Sequence, residues 1–287
     1  VLMVLGMSEV LGPLAPGFLH AGRQRAASRR LGEIVSMRPA VAFPAPPESA
    51  VEQRGLPVGT DLVVTGLRFG YPAGRPVLDG IDLNIPAGTH LAVAGPSGCG
   101  KSTLLALLAR VADPDAGAIT LGGRSLPSLT ERELRERVAL VPQHPHVFDA
   151  SLAENLRIAA PQASEAELWQ ALETVRLASW IRGLPAELET RAGAFGAALS
   201  GGQARRLAIA RALLCATPVL LLDEPTEGLD SRTEAEMIGL LRNAMAGRTL
   251  VVVTHRPAVA KAMDRVLRLG EAAASVAPAK GCRSETA

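Results

Sequence analysis

The sequence predicts an α/β fold built around a parallel sheet, and three of its features indicate this. A glycine-rich loop at residues 95–103 follows an apolar run at 90–94 and leads into a leucine-rich segment, which is the order strand, loop, helix. Two more apolar runs, at 219–222 and 250–253, are continuous, as expected of strands buried on both faces of a parallel sheet. Polar side chains follow both runs directly and would meet at the carboxyl edge of the sheet, where such folds bind ligands.

The glycine-rich loop has the spacing G-x-x-x-x-G-K-S/T, which is typical of a phosphate-binding P-loop. Its residues are Gly95, Pro96, Ser97, Gly98, Cys99, Gly100, Lys101, Ser102 and Thr103. Glycines allow backbone N–H groups to turn toward phosphate oxygens, and the helix that begins near Lys101 directs its positive dipole end at the same anion. Lys101 would contact the β- and γ-phosphates, and the Ser102 hydroxyl would ligate Mg²⁺. A tight turn before a buried helix is the alternative, and the strand-loop-helix context favours nucleotide binding.

The composition of the 287-residue chain limits the kind of protein it can be and the partners it can have. Apolar residues make up 48%, which is enough for a substantial core, and the net charge of +2 gives no sign of a polyanionic partner. Aromatic residues make up only 3%, so base-stacking platforms for nucleic acid are not expected and no nucleic-acid partner is predicted. Cys99, Cys215 and Cys282 are far apart, which indicates neither a disulfide framework nor a metal site and fits a reducing compartment.

The first 35 residues predict the end of a last transmembrane helix and its cytoplasmic extension. Residues 1–22 are mostly apolar, and arginines follow at 23–30, as they do on the cytoplasmic side of a membrane-spanning segment. One acidic residue and two prolines interrupt the apolar run, so an amphipathic surface helix is the alternative. Residues 36–60 contain five prolines and are predicted to be a linker.

The folded domain is predicted to span residues 61–270, with a tail at 271–287. Short strands outside the central runs are expected at 61–65, 81–85, 118–121 and 138–141. The first two alternate apolar and polar residues, as half-buried antiparallel strands do. The segment 152–184 has helical periodicity. Its candidate inner face consists of Leu152, Leu156, Leu168, Leu172, Val175 and Trp180.

A second glycine turn precedes a helix predicted at residues 204–214. This turn and the first N–H groups of the helix would form a second anion site. Its residues are Ser200, Gly201, Gly202 and Gln203. One nucleotide does not need two phosphate cradles from the same chain. The second cradle would therefore serve a nucleotide bound to another subunit.

Four polar side chains complete the candidate site. Asp223 and Glu224 end the apolar run at 219–222, where Asp223 suits Mg²⁺ and Glu224 suits a base or positioner for an attacking water. His255 follows the other apolar run and reaches the same edge of the sheet. Tyr71, the only tyrosine, could stack an adenine, although the local sequence favours an ordinary packing role at a strand end.

Taken in order, these motifs resemble the nucleotide-binding domain of ABC transporters. The resemblance implies a P-loop NTPase with a RecA-like core, an antiparallel β-subdomain and a helical signature subdomain at about residues 146–214. It implies ATP and Mg²⁺ as cofactors, with Tyr71 stacking the adenine and Glu224 and His255 acting in catalysis. It also implies that Gln143 contacts Mg²⁺ and faces the membrane domain, and that Asp230 closes the D-loop at the nucleotide.

The resemblance further implies partners and a location. The domain would form a head-to-tail dimer with a second nucleotide-binding domain, attached to a membrane domain at the cytoplasmic face of the bacterial inner membrane. The strings at residues 97–102 and 223–230 are similar to those of the CydDC family, heterodimeric exporters associated with thiol reductants (cysteine, glutathione) and with cytochrome bd assembly. The partner would then be a CydD-like half-transporter. Glu227 departs from the serine that is commoner at its position.

Three alternative functions remain open from the sequence. The first is an exporter of another substrate, such as a lipid, a peptide or a drug. The second is a soluble ABC ATPase that acts on DNA or ribosomes, which the lack of basic tracts and the apolar start disfavour. The third is a subunit that binds ATP without hydrolysing it, which the presence of Glu224 and His255 disfavours.

Overall fold

The computed structural model describes residues 14–36, 39–45, 59–71, 74, 76–193, 196, 198–270 and 275–278. The chain divides into two compact units, residues 1–40 and 41–287. The described part of the first unit contains helix α1, Leu14–Ser36. Within the described ranges, no helix combines the length and the apolar character needed to cross a membrane. The predicted apolar segment at 1–22 lies mostly outside the described residues.

The second unit is a mixed α/β domain. Its strands are β1 (Leu62–Phe69), β2 (Leu78–Ile85), β3 (His90–Ala94), β4 (Ala116–Leu121), β5 (Arg124–Ser125), β6 (Val138–Val141), β7 (Val219–Asp223), β8 (Thr249–Val253), β9 (Arg265–Arg268) and β10 (Ser275–Pro278). Its helices are α2 (Lys101–Leu108), α3 (Glu131–Arg135), α4 (Leu152–Arg157), α5 (Glu165–Thr174), α6 (Ala178–Arg182), α7 (Gly201–Leu214), α8 (Ser231–Ala244) and α9 (Pro257–Ala262). Short 3-10 turns cover Leu126–Ser128 and Glu187–Glu189.

The six-stranded sheet has the order β10-β9-β3-β8-β7-β6, and the predicted α/β class is confirmed. Strands β9, β3, β8, β7 and β6 run parallel, so their carboxyl ends share one edge. β8 lies between β3 and β7, which places the residue after β8 between the P-loop and the end of β7. β10 pairs antiparallel with β9, so the segment predicted as a tail at 271–287 contributes an edge strand that the sequence pattern did not indicate.

The smaller sheet is antiparallel, with the order β2-β1-β4-β5, as the alternating segments predict. Its first two strands are longer than the predicted 61–65 and 81–85. Between Val64 and Leu67 the register shifts, and Gly66 takes a positive φ of 55°. Such a bulge reverses which of the following side chains face each side of the sheet. The alternation of apolar and polar residues is therefore interrupted there, although the strand continues.

Two hydrophobic clusters cover the two faces of the parallel sheet. Along β7, Leu220 and Leu222 join the cluster that includes the helices α4 to α8, whereas Val219 and Leu221 join the cluster beneath α2 and the antiparallel sheet. Every residue of β7 and β8 is buried. The prediction of strands buried on both faces is therefore confirmed, and the polar residues after them are held on a rigid support.

The segment 152–184, which has helical periodicity, forms three helices, α4, α5 and α6. Ser151 and Ser164 each begin a new helix through a capping box, because the serine hydroxyl and the glutamate three residues later bond reciprocally to backbone N–H groups. All the predicted inner-face residues except Trp180 are fully buried. Trp180 is only partly buried, and its neighbour Ile181 occupies the core instead.

Part of the predicted linker packs on the domain. The Arg110 guanidinium donates to the carbonyl of Ala42 at 2.8 Å and lies 4.4 Å from the centre of the Phe43 ring. Phe43 also packs against the hydrophobic cluster that contains α2. Residues 42 and 43 are thus attached near the end of the helix that follows the P-loop.

Candidate functional site

The P-loop connects β3 to α2 and curls around the start of that helix. Gly100 has a φ of 94°, and a Cβ added there would lie 2.7 Å from Cδ2 of Leu78, so only glycine fits. The Lys101 ammonium donates to the carbonyls of Gly95, at 3.0 Å, and Pro96, at 2.7 Å. Its charge is therefore held at the loop by neutral acceptors, which phosphate oxygens can replace with a stronger ionic contact.

A cavity of about 540 Å³ opens beside the P-loop. It is lined by Tyr71, Val77, Ser97, Gly98, Gly100, Lys101, Ser102, Thr103, Gln143, Asp223, Glu224, Glu227, Val253 and His255. Three parallel strands, β3, β7 and β8, deliver polar residues to this point from their carboxyl ends. Most residues of the site predicted from the sequence therefore lie around one cavity of the size that small-molecule ligands occupy.

The oxygen donors in the cavity fit a hard divalent cation. Asp223 is 7% exposed as a whole residue, lines the cavity and forms no hydrogen bond with any other described residue. Its carboxylate oxygens are therefore available to ligate a cation in the cavity. The Ser102 hydroxyl and the Gln143 amide line the same cavity. A carboxylate, a hydroxyl and an amide oxygen form the donor set that Mg²⁺ prefers, so these residues fit the metal.

Glu224 and His255 form a hydrogen-bonded pair at the mouth of this cavity. Glu224 Oε1 lies 2.9 Å from His255 Nδ1, and the Glu224 side chain is mostly buried whereas that of His255 is largely exposed. Glu224 also has a positive φ of 49°. A non-glycine residue in this region costs about 1–3 kcal/mol, and such strain concentrates at functional sites. The geometry therefore suits Glu224 as the reactive carboxylate and His255 as its partner.

Gln143, Glu227 and Arg205 form a network at the side of the cavity. The Gln143 amide nitrogen donates to Glu227 Oε2 at 3.1 Å, and Arg205 donates to the same oxygen at 2.9 Å. The hydrogen bond from Gln143 and the positive charge of Arg205 lower the pKa of Glu227, against the opposing effect of burial. Arg205 was not predicted from the sequence, and Glu227 was predicted only to depart from the commoner serine, since no local pattern joins residues so far apart.

Tyr71 forms part of the cavity wall. Its hydroxyl lies 3.3 Å from Thr103 Oγ1, and its ring meets Phe69 edge to face at 5.2 Å. The side chain is 56% exposed. Packing against Phe69 thus fixes the ring while leaving exposed surface on which a base can stack, so both sequence interpretations of Tyr71 have a structural basis.

Several predicted site residues do not line the cavity. Gly95 and Pro96 accept hydrogen bonds from Lys101 instead, and the Cys99 sulfur lies 4.0 Å from the same ammonium. Asp230 caps α8 by accepting from the N–H groups of residues 232 and 233, and these bonds, that of residue 233 first, lower the pKa of Asp230.

The predicted second anion site also lies apart from the cavity. Ser200 and Gln203 form a capping box at the start of α7, where the Ser200 N–H donates to the Gln203 side chain at 2.7 Å. Neither they nor Gly201 and Gly202 are among the residues that line the cavity. All four are exposed or partly exposed.

Comparison with known proteins identifies the family to which the chain is similar. A model of the family described as ABC transporter matches residues 78–227. The glutathione/L-cysteine transport system ATP-binding/permease protein CydC of Escherichia coli (strain K12) is 40% identical over 257 residues, or 89% of this chain and 44% of that protein. An ATP-dependent lipid A-core flippase of Chromobacterium violaceum is 37% identical, covering 91% of this chain and 45% of that protein.

A solved structure of a bacterial Atm1-family ABC exporter with ATP bound also matches. Its TM-score is 0.79 at 31% identity, and the match covers 89% of this chain and 45% of the exporter chain. The chain thus spans less than half the length of these relatives.

Proposed function

The chain belongs to the ABC transporter family, and on that premise we propose that it is the ATP-binding and hydrolysing part of an exporter half-transporter at the cytoplasmic face of the bacterial inner membrane. The observation that carries the proposal is the single cavity in which Lys101, Ser102, Asp223, Glu224 and His255 converge. These residue types supply phosphate binding, metal binding and water activation within one site.

The site residues divide into three roles. The P-loop, residues 95–103, binds the phosphates through its N–H groups and through Lys101. Ser102, Gln143 and Asp223 would hold Mg²⁺, which offsets the negative charge of the phosphates when bound. Glu224 orients the attacking water and accepts its proton, and His255 holds the Glu224 carboxylate through the observed hydrogen bond.

A second nucleotide-binding domain completes the site. Ser200, Gly201, Gly202 and Gln203 are partly or fully exposed at the start of α7, a 14-residue helix whose N-terminus favours anions. Because they do not line the cavity of their own chain, they are suited to a nucleotide held by a partner. This supports a head-to-tail dimer, in which Asp230 also faces the partner's site.

We infer a boundary scheme and a cargo for the whole transporter. Residues 1–35 form the end of the membrane domain, and residues 36–60 link it to the nucleotide-binding domain at 61–270. Residues 271–287 form a tail after that domain.

Export of thiol reductants, with a CydD-like partner and a link to cytochrome bd assembly, is supported by the 40% identity to CydC. The 37% identity to a lipid A-core flippase supports lipid as the second candidate. Glutathione or cysteine, and not lipid, should stimulate ATP hydrolysis by the complete transporter.

ATP binding tests the P-loop assignment most directly. Lys101→Ala removes the ammonium that would pair with the phosphates, and ATP affinity should fall at least tenfold because a charge-assisted contact is lost. Lys261→Ala is the matched control, since Lys261 is exposed on α9 and does not line the cavity. Equal ATP affinity of the two variants in a nucleotide titration would remove Lys101 from the site.

The dimer is tested by Glu224→Gln, which keeps the shape of the side chain and removes its charge. ATP binding should persist while phosphate release falls about 10²–10⁴-fold, the range typical of general-base catalysis. Bound ATP should then hold two chains together, and light scattering should detect a dimer that depends on Mg-ATP. If the natural partner is a different subunit, that subunit is included. Loss of hydrolysis with no gain of dimer would contradict the shared site.

A further inference from the structure

We propose that Glu227 is a positioning residue that turns the amide oxygen of Gln143 toward the metal position in the nucleotide site. The inference rests on the proposed function, because it concerns how the site receives Mg-ATP. Glu227 lines the cavity together with Gln143. It belongs neither to the P-loop nor to the end of a strand. It acts through Gln143 and not on the substrate.

The orientation of the Gln143 amide follows from hydrogen-bond chemistry. An ionised carboxylate can only accept, so the amide must present its nitrogen to Glu227. The distance from Gln143 Nε2 to Glu227 Oε2 is 3.1 Å. The amide oxygen is then the free end, and it forms no hydrogen bond with any other residue in the described ranges. That leaves the oxygen, which is the metal-binding atom of the amide, available to a cation in the cavity.

Arg205 holds this arrangement in place from α7. Its side chain is only 8% exposed and reaches both partners. It donates to the Gln143 carbonyl at 3.1 Å, to the Glu227 carbonyl at 3.1 Å and to Glu227 Oε2 at 2.9 Å. One guanidinium thus fixes the backbone of Gln143 and the carboxylate that orients its side chain. The amide is preorganised before any ligand arrives, which limits the ordering cost on binding.

Removal of the Glu227 carboxylate should allow the amide to rotate. The metal binds only when the amide oxygen of Gln143 faces it. The affinity for the metal therefore falls in proportion to the fraction of molecules that have this orientation. If the competent fraction falls to about one in five, the affinity for Mg-ATP falls about fivefold. The affinity for metal-free ATP is not affected by this rotation, and it changes only through the loss of one negative charge.

The experiment is a double-mutant cycle on the full 287-residue chain. ATP affinity is measured by titration with Mg²⁺ and with EDTA for the wild type, Glu227→Ser, Gln143→Ala and the double variant. The ratio of Mg-ATP to metal-free affinity should fall about fivefold more when Glu227→Ser is made in the wild type than in Gln143→Ala. The charge effect is the same in both backgrounds and cancels. Glu173→Ser, in an exposed ion pair with Arg182, is the control and should leave the ratio unchanged.

The outcomes separate this inference from the proposed function. Equal effects of Glu227→Ser in the two backgrounds overturn the positioning role. A wild-type chain that binds no ATP in either condition overturns the proposed function itself. If Glu227→Ser does not fold because Arg205 loses its carboxylate, the cycle is run with Glu227→Asp. Its carboxylate keeps the negative charge beside Arg205 but is one methylene shorter and withdraws from Gln143, so a difference between backgrounds in the same direction is expected.

Discussion

The backbone at Glu224 predicts a difference in stability between two variants that should be equally inactive. Glu224 has a φ of 49°, in the left-handed region. Alanine keeps the left-handed penalty of about 1–2 kcal/mol, whereas glycine escapes it. Glycine instead loses about 0.5–1 kcal/mol of chain entropy on folding. Both substitutions remove the hydrogen bond to His255 equally, so Glu224→Gly should be more stable than Glu224→Ala by about 1 kcal/mol.

Thermal unfolding measures this difference. For a domain of this size, 1 kcal/mol corresponds to about 2–4 °C in Tm. Both variants lack the carboxylate and should lose hydrolysis about 10²–10⁴-fold, so the glycine variant would be the more stable and equally inactive. The control is Ala235→Gly, at an exposed position within α8, where glycine should lower stability by about 0.5–1 kcal/mol. An alanine variant at 224 as stable as the glycine variant would refute the strain argument.

Three further predictions concern the nucleotide, the core and pH. Tyr71→Ala should weaken ATP and GTP alike by about 1–3 kcal/mol, because stacking uses a ring face and discriminates bases poorly, and Tyr71→Phe should retain affinity in the same titration. Leu221→Ala should lower the free energy of unfolding by about 2–5 kcal/mol in urea titrations, since Leu221 is fully buried in β7, whereas Leu240→Ala at the surface should change it much less. Hydrogen bonds from Ser151 lower the pKa of Glu154 below its ordinary value of 4.5. The stabilisation from Glu154 is therefore present above pH 4.5 and is lost as the pH falls through the folded pKa, so Glu154→Ala should differ from wild type at pH 7 and converge with it in acid.

Much of the central sheet could be predicted because its signals are local. The strands β3 and β6 coincide with the predicted runs at 90–94 and 138–141, and β7 and β8 coincide with continuous apolar runs. Continuous apolar character and flanking polar residues are properties of a few neighbouring residues, so no tertiary information is needed to recognise them. The bulge in β1 and the edge strand β10 were missed because a register shift and a strand at the edge of a sheet leave no clear periodic pattern.

The residues of the candidate site were predicted one by one from the sequence, but which of them line the same cavity was not. The P-loop spacing and the carboxylates after β7 predict phosphate and metal binding, since that chemistry needs such residue types at such positions. Whether Ser200 and Asp230 line the same cavity as Lys101 depends on how α7 and α8 begin, and each of the two residues caps the start of its helix outside the cavity.

By itself the sequence determined the fold class and the family, and it predicted the residues of the nucleotide site, because short strings of residues and their spacing carry this information. Only the tertiary structure shows that Glu224 has a left-handed backbone and that Asp223 lines the cavity without a hydrogen-bond partner among the described residues. The tertiary structure alone also shows that Glu227 accepts a hydrogen bond from Gln143, 84 residues away, and another from Arg205. The physical reason is that a hydrogen bond between distant segments exists only after the helices and the sheet have packed, and no local pattern of residues records which side chains that packing brings together.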